Sequence, residues 1–250
     1  YPHSERGKVD NPGHKYPFAS ETITTGIRDA TLSGQPYPIK GWLVYATNLL
    51  QALPSQEETL RAIQQLDLMV VVDVVPSEIA GWADVVLPET VYLERYDDLN
   101  VELFREPFVA LRQPVVPAPH DQKPNWWIAR ELAVRLGLGA YYPWSDVEEY
   151  LDHRLKAAGY SLAMLKEKGL VRGPQPPLYY DDGIAPEFAT PSGRIEFYST
   201  QLAQAGFDPV PRFERPAAGP PGSFRLLYGR APVHTFSRTQ TNPILRDAME

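Results

Sequence analysis

The chain has 250 residues, enough for a sizeable core and more than one structural unit. Its formal charge is −7 with no basic run, which argues against nucleic acid as a partner. No apolar stretch reaches the ~20 residues that span a bilayer, and the lack of any cysteine rules out a disulfide, a thiolate zinc site, an iron–sulfur cluster or a cysteine nucleophile within these residues.

Residues 1–20 are turn-rich and are expected to cross a neighbouring domain. Thr25–Leu32 reads as a short helix closed by Gly34. Trp42–Thr47 (WLVYAT) reads as a strand, followed by a loop at Asn48–Pro54. Ser55 and Glu58 have capping-box spacing and open a helix to about Leu66, with Leu60, Ile63 and Leu66 on one face. The stretch Leu68–Glu89, LMVVVDVVPSEIAGWADVVLPE, is the most informative. An apolar run ends in Asp73, a short capped helix starts at Ser77, and a second apolar run over 84–87 leads into Pro88-Glu89. Short apolar runs between turn formers predict strands buried on both faces, as in a parallel sheet. The β-α-β-α-β order predicts a right-handed parallel arrangement. Ligands of such sheets sit beyond the carboxyl ends of the strands. An acidic side chain there can accept hydrogen bonds from a ribose hydroxyl or from guanine N1–H and N2–H, so the segment points to a nucleotide-type cofactor.

The 26 prolines concentrate in 107–124 and 174–221, which predicts ordered, extended crossings over a surface. Between them, Asn125 is the expected N-cap of a helix through WWIARELAVRLG, closed by Gly137. Asp146–Ala158 reads as a helix with Val147, Tyr150, Leu151 and Leu155 as its apolar face, and Ser161–Lys168 as another, ending at Gly169. Arg194–Tyr198 (RIEFY) reads as a strand and Thr200–Ala205 as a short helix. The linker RPAAGPPG is the expected domain boundary, leading into a strand at Phe224–Tyr228. That strand lacks partners and the chain opens without Met or signal peptide, so it is expected to be an internal slice of a larger protein.

GWLVYATN, LMVVVDVVPSEIAGWADVVLPETVYLER, the KPNWW helix start, TPSGRIEFYS and LLYGRAPVHTFSRTQTNP occur in this order. Together they resemble the molybdopterin oxidoreductase (dimethyl sulfoxide reductase) family, most like the catalytic subunits of polysulfide and thiosulfate reductases. The resemblance covers 40–250 and extends into 1–39. It implies an α/β fold: a parallel-sheet αβα molybdopterin-binding region followed by the start of a C-terminal β-barrel domain. Residues 1–39 would be a crossing segment from a neighbouring domain, 40–140 the guanine-dinucleotide-binding region, 141–215 a helical and proline-rich extension, and 223–250 the start of the pterin-binding barrel. The implied cofactor is molybdenum bis(molybdopterin guanine dinucleotide), with a [4Fe-4S] cluster and the metal ligand held upstream. The implied activity is reduction of polysulfide or thiosulfate in anaerobic respiration. The implied partners are an iron–sulfur electron-transfer subunit and a quinol-oxidising membrane anchor subunit. The implied place is the periplasm, with no direct membrane span and export directed by an upstream twin-arginine signal. Two alternatives stay open: another substrate of the same family (tetrathionate, arsenate, formate or dimethyl sulfoxide), or a non-catalytic electron-transfer scaffold that has lost molybdenum.

The resemblance carries over to single residues. Asp73 matches the family's acidic residue after the second strand and resembles a guanosine contact, since a carboxylate accepts guanine N1–H and N2–H together. Its other reading is a solvated strand-end Asp that caps the helix at Ser77. Asp84 reads as a turn residue. Asn48 stands where relatives carry Asn-Pro, but Ala46 and Leu49 replace the flanking Gly and Pro; its amide suits a phosphate or pterin edge. Thr90 matches a nucleotide-contacting position. Asn125 stands where relatives have Asp before Trp, and its N-cap role competes with a guanine contact. Glu94, Arg95, Asp97 and Asp98 form a charge cluster, read as a solvated or salt-bridged surface, to which the resemblance at LER adds a structural ion pair near the cofactor and no catalytic role. In the tail, Gly229, Arg230, His234, Ser237, Arg238 and Thr239 resemble a pterin-contacting segment, with Gly229 allowing close backbone approach. His3, His14, His120 and His153 show no metal spacing, and no Ser-His-Asp set, P-loop or Gly-x-Gly-x-x-Gly motif is present. Ser192-Gly193 reads as a turn.

Overall fold

The computed structural model describes residues 9–11, 16, 18–19, 22–99, 106–174, 183–229, 231–235, 239 and 242–248. The chain divides into two compact units, Tyr1–Glu187 and Phe188–Glu250, a division that falls ahead of the 215–222 linker.

The first unit is built on a three-stranded parallel sheet, β1 (Gly41–Tyr45), β2 (Leu68–Asp73) and β3 (Val85–Pro88), in that order. Val44 lies opposite Val71, which lies opposite Val86. Four helical elements join the strands or precede them: α1 (Thr24–Ser33), α2 (Leu49–Ala52), α3 (Gln56–Ile63) and a 3-10 turn at Glu78–Trp82. Trp42, Val44, Leu50, Ala62, Ile63, Met69, Val71 and Ile79 form their shared core, with Leu60 and Leu66 packed at its margin. Helix α1 ends at Gly34 (φ 69°), whose N–H reaches Ala30 O, and Trp42 Nε1 donates to Thr31 Oγ1 at 3.1 Å to tie α1 to β1.

Burial on both faces is observed only in β2, where Val71 and Val72 are 1% and 3% exposed. In β1 exposure alternates, and Leu43 on the second face is 60% exposed. Only β2 has a strand on either side, and the second face opens onto a cleft shared with α4 (Asn125–Arg135), Tyr96 and Tyr150, so apolar character there exceeds apolar cover. The capping box at Ser55 is also absent. Ser55 sits at φ 59°, its side chain caps nothing, and its carbonyl takes the Thr59 N–H instead; the helix stops at Ile63. At Ser77 the hydroxyl donates to Asp73 Oδ2 at 3.0 Å and leaves the turn uncapped. Asp84 takes the Met69 N–H at 2.7 Å, as suits a turn residue. Asn125 is the first residue of α4, after Pro124 at the cap, and its Oδ1 accepts the Trp126 N–H.

A second core in the same unit joins α5 (Val147–Lys156), α6 (Leu162–Lys168) and an antiparallel pair, β4 (Phe108–Ala110) with β5 (Leu170–Arg172). It contains Leu99, Leu151, Leu155, Leu162, Leu165 and Val171. Asp146 and Ser161 cap the two helices through the N–H groups of Glu149 and Met164. Strand β4 lies inside a stretch that reads from its prolines as an unpaired crossing; the short Phe108–Leu111 run between Pro107 and Pro114 was enough to pair.

In the second unit, Ser199 caps α7 (Thr200–Gln204) and Asn242 caps α8 (Pro243–Asp247). The strands expected at 194–198 and 224–228 are not formed among the described residues. No neighbouring backbone pairs with them, and their side chains stay exposed, Phe224 by 97%. Among the described residues no helix is long and apolar enough to cross a membrane.

Candidate functional site at the carboxyl edge of the sheet

The parallel register brings Tyr45 beside Val72, Val72 beside Leu87, and Asp73 beside Pro88. The chain therefore leaves all three strands at one edge, carrying Asn48, Asp73, Glu89 and Thr90 there. A bridge between Glu89 and Lys123, with Lys123 N–H on Pro88 O, delivers the first residue of α4 to the same edge. Four sites singled out in the sequence, Asn48, Asp73, Thr90 and Asn125, thus come together on one rim.

The hub of this rim is Glu89, whose side chain is 1% exposed. Its Oε1 accepts the Tyr45 hydroxyl at 3.3 Å and the Asn125 N–H at 3.1 Å, and it pairs with Arg95 Nη1. Arg95 is 14% exposed and also donates to Thr90 O at 2.5 Å and Asp97 Oδ1 at 2.7 Å. Of the cluster 94–98, read as a solvated or salt-bridged surface or as an ion pair near the cofactor, Arg95 enters the interior as an ion pair: a charged group enters the low-dielectric region only with partners of opposite sign. Asn125 Nδ2 donates to the Tyr45 hydroxyl at 3.0 Å, completing a relay from Asn125 through Tyr45 to Glu89. Burial pushes the Glu89 carboxyl above the usual glutamate range against the pull of Arg95, and burial with the adjacent Glu89 raises the Tyr45 hydroxyl.

On the other side of the rim, Asn48 Nδ2 donates to Glu78 Oε2. A carboxylate can face only the NH2 end of an amide, so this contact fixes the amide and turns Oδ1 away from it. That oxygen is buried without a partner among the described residues, as are Thr90 Oγ1 and Trp126 Nε1. Leaving such an atom unpaired costs about 1–3 kcal/mol. Asp73 accepts Val74 N–H at 2.7 Å and Ser77 Oγ at 3.0 Å. Both carboxylate oxygens thus help to close the following turn, and each keeps a lone pair free. Between the open sheet face and α4 lies a cleft of about 330 Å³, lined by Leu43, Tyr45, Val72, Trp126 and Tyr150 among others.

The rim suits a ligand with several hydrogen-bonding edges, since it sets one amide oxygen and one hydroxyl free beside a carboxylate. Glu89, Tyr45 and Arg95 were not foreseen as its organisers. The usable signal was parity: Val85, Leu87 and Glu89 alternate onto the face shared with Tyr45, whereas Asp73 shares the opposite face with Met69 and Val71.

The tail residues belong to the second unit. Thr239 Oγ1 lies 3.3 Å from His234 Nδ1 and accepts the Thr235 N–H at 2.8 Å. A Cβ added at Gly229 would meet nothing within 4 Å, so no crowding within the described residues requires glycine there. Arg230, Ser237 and Arg238 lie outside the described residues. Among the described residues no group of three or more His, Asp or Glu side chains is placed to hold a metal ion.

Comparison with known proteins gives the chain its relatives. A family model described as molybdopterin oxidoreductase matches residues 20–135. The thiosulfate reductase molybdopterin-containing subunit PhsA of Salmonella typhimurium is 33% identical over 272 residues, covering 99% of this chain and 36% of the relative. Acetylene hydratase of Syntrophotalea acetylenica is 31% identical over 192 residues, covering 77% of this chain and 26% of the relative. The solved acetylene hydratase of Pelobacter acetylenicus superposes with a TM-score of 0.65 at 31% identity, covering 77% of this chain and 26% of that one. The chain spans 36% and 26% of the length of these two curated relatives.

Proposed function

Since residues 20–135 belong to the molybdopterin oxidoreductase family, which implies a molybdenum pterin cofactor, we propose that this chain is part of the catalytic subunit of a molybdenum bis(molybdopterin guanine dinucleotide) enzyme. Its reaction is the two-electron cleavage of the sulfur–sulfur bond in polysulfide or thiosulfate. Likeness to the thiosulfate reductase subunit along 99% of the chain supports the substrate class. The observation that carries cofactor binding is the pair of buried, unpartnered atoms at the rim, Asn48 Oδ1 and Thr90 Oγ1. Both fit a nucleotide, which offers hydroxyl and N–H donors.

When bound, the cofactor supplies the metal and the electron-transfer chemistry; the chain binds and orients it. Asp73 keeps lone pairs for guanine N1–H and N2–H. Asn48 offers its carbonyl to a donor such as a ribose hydroxyl or a pterin N–H. Thr90 and Asn125 hold further polar edges, and Tyr45 with Glu89 fixes Asn125. In the second unit, Gly229, Arg230, His234, Ser237, Arg238 and Thr239 take the pterin edge at the start of a β-barrel. A [4Fe-4S] cluster bound by the same subunit, an iron–sulfur partner subunit and a quinol-oxidising membrane anchor complete the electron path, at the periplasmic side of the membrane.

The likeness to acetylene hydratase favours a second reading, addition of water to an unsaturated substrate without net electron transfer. One experiment separates them. The full-length protein is assayed for molybdenum, tungsten and guanine nucleotide, then for sulfide release from thiosulfate or polysulfide with a low-potential electron donor, and for acetylene hydration without one. Sulfide release supports the reductase; hydration alone replaces it with the second reading; absence of both molybdenum and tungsten sinks both.

A further inference from the structure

We propose that Glu89 is a positioning residue for the rim: its buried carboxylate, shared by Arg95, the Tyr45 hydroxyl and the Asn125 backbone N–H, sets where Thr90 and Asn125 meet the nucleotide. This rests on the reading that the rim holds a nucleotide. Three separate segments end at this one carboxylate. Tyr45 closes β1, Arg95 follows β3, and Asn125 opens α4. Through Arg95 the same charge fixes the Thr90 carbonyl, and so the backbone that carries the unpartnered Thr90 hydroxyl. Through Tyr45 it fixes the Asn125 side-chain amide. Neither Thr90 nor Asn125 could shift without breaking a bond to this network.

A buried ion pair also supports the fold, so the test must separate fold from position. Breaking one partner of such a pair is strongly destabilising, whereas replacing both by apolar groups of similar volume is often neutral. This contrast supplies the design. In the full-length protein, Glu89→Gln, the double change Glu89→Leu with Arg95→Met, and Tyr45→Phe are compared with wild type. Two quantities are read on each: the thermal midpoint, and the rate at which molybdenum and guanine nucleotide are lost from folded protein on dilution.

Glu89→Gln is expected to lower the midpoint and to hasten cofactor loss by about tenfold to a hundredfold, the range usual when a residue that orients ligating groups is removed. The double variant is expected to regain part of the midpoint, held below wild type by the unpaired Thr90 O and Asn125 N–H, but none of the retention. Tyr45→Phe, the mildest change, is expected to hasten loss with little change in midpoint. If retention instead follows the midpoint across the three variants, Glu89 is only a structural strut and the inference is overturned. If wild type carries no molybdenum and guanosine monophosphate does not bind it, the nucleotide reading falls and takes this inference with it. If wild type carries the cofactor and no variant loses it faster, the inference alone falls.

Discussion

Helices α5 and α6 and the carboxyl rim of the sheet lie in the same unit but are finished differently. Asp146 and Ser161 each cap their helix with a side-chain bond, and Leu151 and Leu165 are fully buried between them. Around the rim, α2, α3, the 3-10 turn and α4 all begin without a side-chain cap. Asn48 Oδ1, Thr90 Oγ1 and Trp126 Nε1 are left buried and unpaired in that same region. The helical pair satisfies its polar groups from its own sequence. The rim keeps atoms in reserve, at a cost to stability, which is the signature of a surface shaped for something else.

The largest effect expected on the self-sufficient side is Leu165→Ala. Truncating a fully buried leucine costs about 2–5 kcal/mol, which denaturant melts would register. Cofactor content per folded molecule should stay at the wild-type level; a fall as deep as that of a rim variant would erase the distinction between the regions. On the rim, Glu78→Lys reverses the partner of Asn48. The new ammonium would claim Oδ1 and turn the NH2 end toward the ligand. Loss of one bond to guanosine monophosphate, worth about 1.4 kcal/mol, predicts binding weakened roughly tenfold, while inorganic pyrophosphate, drawn by the added positive charge, should bind at least as well as to wild type. Titration calorimetry with both compounds decides it.

Thr90→Val should invert the usual outcome of a polar-to-apolar change. Removing an unpaired buried hydroxyl is expected to leave stability unchanged or higher by about 1 kcal/mol, yet cofactor retention should fall. A destabilised Thr90→Val with intact retention would mean that the hydroxyl has a structural partner after all. Asp146→Ala, which removes a helix cap, should cost about 1 kcal/mol without touching retention.

The smallest expected effects are pH dependences of opposite sign. Burial raises the Glu89 carboxyl, so the folded state binds the proton more tightly than the unfolded chain. Its contribution is therefore greatest below the ordinary glutamate range and declines as pH rises through the raised value. Lys166 and then Tyr96 lower Glu148, and Lys156 and then the Leu162 N–H lower Asp152. Their contributions are present above the ordinary carboxylate range and are lost as pH falls through the lowered values. Both are exposed enough for solvent to screen them, so the slopes will be shallow. Midpoints against pH for wild type, Glu89→Gln and Glu148→Gln should separate the two slopes; parallel curves would show that neither carboxyl titrates differently in the folded state.

Legibility follows the same divide. Gly34, Asp146, Ser161 and Gly169 act on neighbours a few positions away, and the helix ends that they mark were readable. The parallel arrangement was readable too, since each crossover lies within one continuous stretch. Ser55 failed because a positive φ overrode a favourable pair of residues. RIEFY and FRLLY failed because a strand needs a neighbour as well as a composition. Glu89 was visible as a strand-end acid, but its role depends on Tyr45 and Asn125, which are remote in sequence, and no local pattern reports such partners.

The same Glu89 hub has a consequence for how the chain folds. Its partners lie 6, 36 and 44 residues away, at Arg95, Asn125 and Tyr45. Closing a loop grows costlier with its length, so Arg95 reaches the carboxylate ahead of α4. The charge is then neutralised before the helix docks, and docking adds a neutral N–H to an existing pair. Trp126 and Trp127, at the start of α4, would report that docking as a fluorescence phase trailing the far-ultraviolet signal of the sheet; simultaneous phases would mean that the hub assembles in one step.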